Sequence, residues 1–485
     1  MSIRRNLGKM GGASFVAFAL NLSAVVIVSR ILTPEEVGIY SVSVAVLGMA
    51  HIFRDFGVAQ YLVQIKEVGT KEFREAFSVT LYSSWLLAGI VFAVREPFSI
   101  FYGHPGIAEI LTILSANFLI MPFGTPLLAL MNRELQFHFL ATNLWLSTLV
   151  QTVVTVVCAY AGQSYLSMAW GALAALVFKV LWLNYVRPGE IFMWPTFKGL
   201  GNVLKFGSLT SLASIIKEFG TGAPDLILGR TLGFVDVAFF SRANGLKKMI
   251  TARVVALIRS VYFPTFSSEL RKGGDGAALY SHSMKYIVGV MAPLFAVMAI
   301  VSEPIILFLF GEQWGRAAPI ATLICTYAMF VTPYTFYNLS LIAAGELKTN
   351  LWVESSIQGA QILVLICSIW LSLEHVVMLF GVVTLVQVVC VQHALNLTFN
   401  LGFIRHFKII LPSIFLIPFS SLGPIVIVLY SEEIIYSNNS FIILVMAGLL
   451  AVVGWLIGVF VTHHPIKREI EGVSAIVRRR FINDK

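Results

Sequence analysis

The sequence predicts an all-α membrane protein with about fourteen transmembrane helices, arranged as two pseudo-symmetric six-helix lobes followed by two further helices. Three observations support this prediction. Hydrophobic residues make up 58% of the 485 positions and charged residues only 12%, about half the charged fraction of a soluble domain. Apolar runs of about 20 residues, the length that crosses a bilayer, recur along the whole chain. The first half of the sequence also resembles the second half.

The apolar runs are too long and too uniformly apolar for the strands of a membrane β-barrel, so they predict helices. Segment 8 carries five cations, and because no lipid-facing helix could hold so many, we expect protein or water to shield much of it. In chain order the fourteen predicted segments lie near residues 11–30, 37–63, 76–95, 107–131, 138–161, 165–186, 203–230, 234–262, 284–310, 317–343, 352–372, 375–397, 408–430 and 441–462.

The loops between these segments predict the orientation of the chain. Lys and Arg concentrate in every second loop and in the C-terminal tail, as they do on the cytoplasmic side of membrane proteins. We therefore expect both termini to be cytoplasmic. The same distribution accounts for the net charge of +9, and we expect no nucleic-acid partner.

An internal repeat divides the chain. Residues 29–41 read SRILTPEEVGIYS and residues 229–241 read GRTLGFVDVAFFS, and four of the thirteen aligned positions are identical. Further matched pairs follow in order at offsets of about 207–212 residues, as duplication followed by small insertions produces. Parallel membrane repeats are related by an axis along the bilayer normal, with the transport site between them. The predicted regions are an N-lobe (1–186), a cytoplasmic linker (187–200), a C-lobe (201–400), and helices 13 and 14 with a basic cytoplasmic tail (401–485).

Polar residues deep in segment 7 are the main candidates for a functional site. An ionisable residue inside a span costs at least about 2.5–3.5 kcal/mol on insertion scales, so these residues are expected to face other helices or a wet cavity. Lys217 lies beside them near the middle of the segment. The others repeat at intervals of three, four, three and four residues, which places them on one helix face; this polar stripe consists of Ser211, Ser214, Glu218, Thr221 and Asp225.

Further candidates lie in the first half. Asn21 in segment 1 aligns with Thr221, and Arg54 and Asp55 lie well inside segment 2. Buried ion pairs, between Arg54 and Asp55 or between Lys217 and a carboxylate of the stripe, are an alternative interpretation. Arg30 and Arg230 end segments 1 and 7, where arginine side chains also reach the interface without binding a ligand.

The sequence lacks the common signals of catalytic and cofactor sites. The sequence has no glycine-rich phosphate loop and no His-Glu-x-x-His pair, two motifs typical of nucleotide and zinc sites. The four cysteines lie inside apolar runs without paired spacing. We therefore expect no cofactor and no enzymatic activity.

Several phrases resemble the Wzx-type polysaccharide transporters, within the multidrug/oligosaccharidyl-lipid/polysaccharide exporter superfamily, and in particular the branch that exports exopolysaccharide or colanic-acid-like repeat units. The resemblance runs in order along essentially the whole chain. The phrases are PDLILGRTLGFVDVAFFSRANGL (224–246), FRDFGVAQYLVQ (53–64), MNRELQFHF (131–139), LFGEQW (309–314) and SRILTPEEVGIYS (29–41).

This resemblance implies a function. Members of the family move undecaprenyl-diphosphate-linked oligosaccharide from the cytoplasmic to the periplasmic leaflet of the inner membrane. It implies coupling to an H⁺ or Na⁺ gradient, and partners among the polymerase and the chain-length and export proteins of the same pathway. Asp225, Arg230 and Arg242 match charged positions of the family signature, which usually has tyrosine where this chain has Phe239 and Phe240.

Two other functions remain open at this point. A cation-coupled multidrug exporter would have the same fold, but its cavity would be dominated by acidic residues, whereas the candidates here include several cations. A polysaccharide polymerase or ligase would need a sizeable outer loop with paired basic residues, and the sequence has no such loop.

Overall fold

A computed structural model shows an all-helical protein within the residues that the structure describes, which are 3–54, 69–188, 194–197, 200–430 and 440–472. Each of the fourteen predicted segments corresponds, over its described residues, to a helix or to a pair of consecutive helices, and residues 55–63 of segment 2 lie outside the described residues. The predicted fold class is therefore confirmed. The chain divides into two compact units, 1–238 and 239–485, and helix α9 contributes its first five residues to the first unit.

The described part of the first unit contains seven long helices and one short one, besides the start of α9. Tight turns at Gly103 and Gly233, both with positive φ, separate α3 from α4 and α8 from α9, because only glycine adopts this conformation without strain. The helices are α1 (Ile3–Ile31), α2 (Pro34–Arg54), α3 (Thr70–Tyr102), α4 (Gly106–Ile120), α5 (Thr125–Arg133), α6 (Phe137–Tyr160), α7 (Leu166–Val186) and α8 (Leu200–Thr231).

The second unit contains most of α9 and the remaining helices. Asp275 caps the start of α10, where its carboxylate accepts hydrogen bonds from the backbone N–H groups of Ala277 and Ala278. The helices are α9 (Phe234–Arg271), α10 (Gly276–Ile300), α11 (Ser302–Phe310), α12 (Ala317–Val331), α13 (Tyr337–Ala343), α14 (Leu347–Ile366), α15 (Leu373–Phe399), α16 (Phe403–Ile414), α17 (Leu416–Leu429) and α18 (Ser440–Val461).

Ten described helices are long and apolar enough to cross a membrane, or eleven if the bent pair α16–α17 counts as one span. The predicted segments 2, 7 and 8 correspond to α2, α8 and α9, which lie outside this set. Helices α8 and α9 are long enough to cross a membrane, but charged residues interrupt their apolar stretches. They correspond to segments 7 and 8, for which the sequence predicts a polar environment.

The repeat appears in each unit as a helix that is interrupted by a 3₁₀ turn and followed by a short helix. Helix α4 is fifteen residues long and ends in a 3₁₀ turn, Met121–Phe123, before the short helix α5. Helix α12 is also fifteen residues long and ends in a 3₁₀ turn, Thr332–Tyr334, before the short helix α13. A proline lies in each turn and cannot donate the next helical hydrogen bond. The first unit extends past the linker predicted at 187–200 to include α8, and the lobe boundary itself stays a prediction.

The residues just before α8 are attached to α3. The Nε of Arg74 donates to the carbonyl oxygen of Trp194 (2.5 Å), and the backbone N–H of Thr196 donates to Oγ of Ser78 (2.9 Å). The rings of Tyr82 and Phe197 stack with centroids 4.7 Å apart. Trp194 and Phe197 are both exposed, so this linker segment lies on the surface of α3.

A histidine joins three helices at the end of α18. Ser413 of α16 donates to the carbonyl oxygen of Lys285 in α10 (2.9 Å), so its oxygen accepts from Nε2 of His464 (2.8 Å). The backbone N–H of Ile466 donates to Nδ1 (3.3 Å). These partners satisfy the neutral imidazole. Burial lowers the pKa of His464 to about 4, and the nearby Lys285 ammonium adds to the effect.

We expect His464 to make stability depend on pH. Its folded pKa is below its ordinary value of 6.5, so the contribution is complete above pH 6.5 and is lost as the pH falls toward 4. The thermal midpoint of the detergent-purified protein should fall over this interval, and His464→Asn should make the fall shallower. His463→Asn is the control. An equal slope in the wild type and in His464→Asn would contradict the assignment.

Candidate functional site

Helix α8 holds five of the predicted site residues, and four of them lie between positions 217 and 225. Lys217, Glu218 and Thr221 are exposed on it, and Asp225 is half-buried. Thr221 donates its hydroxyl to the carbonyl oxygen of Lys217 (2.9 Å), one turn back in the helix. This hydrogen bond involves only the backbone of Lys217, and the side chains of Lys217 and Glu218 are exposed. An exposed ammonium and an exposed carboxylate therefore lie side by side near the middle of a helix that the sequence predicts to span a membrane.

The polar stripe faces helix α2. Gly222 and Gly229 continue its spacing, because positions 218, 222, 225 and 229 follow at intervals of four, three and four residues. A Cβ atom on Gly229 would lie 2.6 Å from Cγ2 of Val42, and one on Gly222 would lie 3.7 Å from the carbonyl oxygen of Ala45. The two helices are therefore closer at Gly229 than at Gly222, and Glu218, one turn before Gly222, is exposed. We infer that the two helices diverge in this direction and leave a cleft between them.

The two repeated sequences meet at the closed end of this cleft. A Cβ atom on Gly38 would lie 2.9 Å from Cα of Phe234 and closer still to its carbonyl oxygen, so the backbones of α2 and α9 touch. Tyr102 of α3 donates its hydroxyl to the carbonyl oxygen of Leu226 in α8 (3.0 Å). We call the contact of Gly38 and Val42 with Gly229 and Phe234 the turn junction. It holds residues 29–41 against the start of residues 229–241.

Three predicted residues lie at other positions in the first unit. Arg230 is exposed at the end of α8, with its guanidinium carbon 5.1 Å from the ring centroid of Phe101. Arg30 is exposed at the end of α1, and Asn21 is exposed on the same helix. Cation–π contact with an aromatic ring is compatible with both interpretations of Arg230, an interfacial anchor or a ligand contact.

Arg242 belongs to the second unit, where aromatic rings surround it. Its guanidinium carbon lies 5.1 Å from the ring centroid of Trp314 and 5.6 Å from that of Phe310. Trp314 is fully buried. The Nε of Arg242 is buried and has no hydrogen-bond partner among the described residues, so the aromatic rings are the contacts that the described structure gives this cation.

The two phenylalanines of the signature are packing residues. Phe239 meets Trp314 edge to face with centroids 6.0 Å apart, and Phe240 lies 5.8 Å from Phe380. Both phenylalanines are buried. A tyrosine hydroxyl at either position would need a partner in this apolar environment.

Some predicted residues lie outside the described part of the structure. Asp55 is not described, and the side chains of Arg54, Ser211 and Ser214 are not described either. Among the described side chains, no group of three His, Cys, Asp or Glu residues could hold a metal ion.

A buried carboxylate in the second unit was missed by the sequence analysis. Glu354 of α14 is 2% exposed. Its Oε1 accepts hydrogen bonds from the hydroxyl of Tyr337 (2.7 Å) and from Nδ2 of Asn338 (3.3 Å), and Asn338 also donates to Oδ1 of Asn350 (3.1 Å). The signal that could have found it is an acidic residue just inside predicted segment 11, because such residues are costly unless they have partners.

Comparison with known protein families identifies the family of this chain. The family described as "Polysaccharide biosynthesis protein" matches residues 27–319, which is more than half of the chain. The chain belongs to this family. The matched range of the polysaccharide biosynthesis protein family contains every candidate site residue except Asn21.

Two relatives align with this chain over similar lengths. The lipopolysaccharide biosynthesis protein WzxC of Escherichia coli K12 is 24% identical over 371 residues, covering 72% of this chain and 73% of that protein. The succinoglycan biosynthesis transport protein ExoT of Rhizobium meliloti is 25% identical over 359 residues, covering 72% and 71%. Both relatives carry names from polysaccharide biosynthesis.

A solved structure has the same fold. The lipid II flippase MurJ, in an inward closed conformation, superposes with a TM-score of 0.75 at 13% identity, covering 94% of this chain and 99% of that chain. At this identity the likeness shows the fold alone. This member of the polysaccharide biosynthesis protein family is thus a multi-pass membrane protein with a transporter fold.

Proposed function

We propose that this protein flips undecaprenyl-diphosphate-linked oligosaccharide repeat units from the cytoplasmic to the periplasmic leaflet of the inner membrane, for the synthesis of an exopolysaccharide or another surface polysaccharide. The observation that carries this proposal is the polar stripe of α8, which has exposed charges in a cleft against α2. Relatives named for lipopolysaccharide biosynthesis and succinoglycan transport, and the fold shared with a lipid II flippase, support it.

The chemistry of such a substrate matches the residue types of the predicted site. The oligosaccharide and diphosphate need a hydrophilic path, whereas the lipid tail stays in the bilayer. Lys217 is the cation best placed to attract a diphosphate as a mobile point charge. Arg230 and Arg242 have planar guanidinium groups that hydrogen-bond phosphate oxygens in pairs. Glu218 and Asp225 are candidates for the coupling ion, H⁺ or Na⁺.

Transport in this proposal requires the cleft to open alternately to each side. The turn junction, at the predicted periplasmic end of α8, closes one side. A substrate that entered beside Lys217 from the cytoplasmic leaflet would be released only after α2 separates from the turn between α8 and α9. The polymerase and the chain-length and export proteins would act on the released repeat unit.

A multidrug exporter is the second candidate function, and the exposed Lys217 disfavours it, because a cationic drug would be repelled there. A polymerase is the third candidate.

Deletion of the gene in a polymer-producing host separates the three functions. If the protein is a flippase, its loss should abolish surface polysaccharide and leave lipid-linked repeat units on the inner leaflet. Accumulation on the outer leaflet would point to a polymerase, and unchanged polymer would leave the multidrug exporter.

We expect Lys217→Ala to lower export several-fold in the complemented deletion strain, because the diphosphate loses its cation in the cleft. Membrane insertion and protein level should be unchanged, since Lys217 is exposed. Lys272→Ala, an exposed lysine paired with Glu269, is the matched control. Wild-type export by Lys217→Ala would remove this residue from the site.

A further inference from the structure

Helix α16 presents three different faces. His406, Ile410 and Ser413 are buried and lie on one side, where Ser413 hydrogen-bonds the backbone of α10. At 100° per residue, Phe403, Ile404 and Phe407 occupy a second sector, and Arg405 and Lys408 lie in a third sector next to it. One face therefore packs against protein, one is apolar and exposed, and one is cationic and exposed.

The apolar sector is open to the surroundings. Phe403 is 57% exposed, Ile404 is 70% exposed and Phe407 is 44% exposed. The rings of Phe403 and Phe407 stack on each other with centroids 6.1 Å apart, so they form one surface rather than two separate side chains. An exposed apolar surface of this kind needs a non-aqueous environment.

The cationic sector is held in position. Nη2 of Arg405 lies 3.3 Å from Oδ2 of Asp275, whose other oxygen caps α10. Asp275 is thus fixed by the start of α10 and in turn orients the guanidinium. Lys408 is exposed one turn further along the same side. The planar guanidinium keeps further donors that a phosphate oxygen could accept.

The helix is too short to cross a bilayer. Its twelve residues span about 18 Å at 1.5 Å per residue, and the chain bends by 40° before α17. A short helix with adjacent apolar and cationic sectors is the pattern of a helix that lies in the membrane–water interface. The loop charges predict that this end of the chain faces the cytoplasm.

We propose that α16 lies in the cytoplasmic interface of the membrane and binds the headgroup phosphate of an anionic phospholipid through Arg405 and Lys408. The apolar sector of Phe403, Ile404 and Phe407 rests among the acyl chains of the same leaflet. Charge complementarity identifies the lipid: two exposed cations border a surface that contacts lipid, and a negatively charged headgroup supplies the matching charge. The site is independent of the cleft at α8 and of the transported substrate.

The test is lipid retention by the detergent-purified protein, measured by native mass spectrometry with added phosphatidylglycerol or phosphatidylcholine. We expect the wild type to retain phosphatidylglycerol in preference. Each interfacial cation contributes about 1 kcal/mol, so the double variant Arg405→Gln, Lys408→Gln should bind phosphatidylglycerol about 30-fold more weakly. Arg405→Lys keeps the charge and should retain most of the binding, even if the double variant folds poorly.

The matched control is Arg316→Gln with Lys348→Gln. It removes one arginine that is paired with a carboxylate, Glu374, and one exposed lysine, in the same unit but away from α16. An equal loss in both double variants, or equal retention of the two phospholipids by the wild type, would overturn the proposal. Retention of undecaprenyl phosphate without any preference for phosphatidylglycerol would assign α16 to the transported lipid and would also overturn it.

Discussion

Replacing Gly38 with Ala is expected to disrupt the turn junction and to reduce export strongly. The added Cβ would lie 2.9 Å from Cα of Phe234 and would collide with its carbonyl oxygen. Because both obstacles are backbone atoms, no side chain can rotate away, and α2 must move from the start of α9. Overpacking of this kind costs about 1–3 kcal/mol, and the expected result is a lower thermal midpoint together with loss of complementation.

Gly48 provides the control for this experiment. It lies in the same helix, and a Cβ there would meet no atom within 4 Å. Alanine is a better helix former than glycine by about 1 kcal/mol, so Gly48→Ala should be neutral or slightly stabilising. If Gly38→Ala and Gly48→Ala behave alike in both assays, the close approach of α2 and α9 is not a feature of the folded protein.

Replacing Glu354 with Ala is expected to give the largest loss of stability. The change leaves the Tyr337 hydroxyl without its acceptor, removes one of the two acceptors of the Asn338 amide, and opens a cavity at a site that is 2% exposed. A buried polar group left without its partner costs about 1–3 kcal/mol, and the cavity left by the deleted side chain adds to this loss. Thermal unfolding in detergent should show this loss as a large decrease in the midpoint.

Glu354→Gln separates charge from shape. The amide oxygen can still accept from Tyr337, so this variant should retain most of the stability, and any loss of export would then report a requirement for the carboxylate. Glu303→Ala, an exposed glutamate in the first turn of α11, is the control and should change stability little. A Glu354→Ala variant as stable as Glu303→Ala would contradict the hydrogen-bonded arrangement.

The sequence was sufficient for the helices but not for their breaks. Each predicted segment is a long apolar run, and burial in lipid makes a helix the only way to satisfy its backbone. Segments 4 and 10 break at Met121–Phe123 and Thr332–Tyr334. Prolines mark both places, yet the direction of the chain after a proline depends on packing against other helices, which no local pattern contains.

The same limit applies to the site. Charge inside an apolar run was enough to single out Lys217 and the stripe beside it. The orientation of the stripe toward α2 is seen only in the structure, from the contact of Gly229 with Val42. It depends on which small residue of one helix fits against which side chain of the other. The aromatic contacts of Arg242 and the partners of Glu354 depend in the same way on residues far apart in the chain.

The attachment of residues 194–197 to α3 limits how far the start of α8 can travel. Only residues 198 and 199 separate Phe197 from Leu200, so their Cα atoms can be at most about 11 Å apart. While Phe197 stays stacked on Tyr82, the first residue of α8 must stay close to α3. The helix can therefore tilt about this end but cannot move away from α3 as a whole. Any swing of this helix during a transport cycle would then be greatest at its far end, beside Gly229.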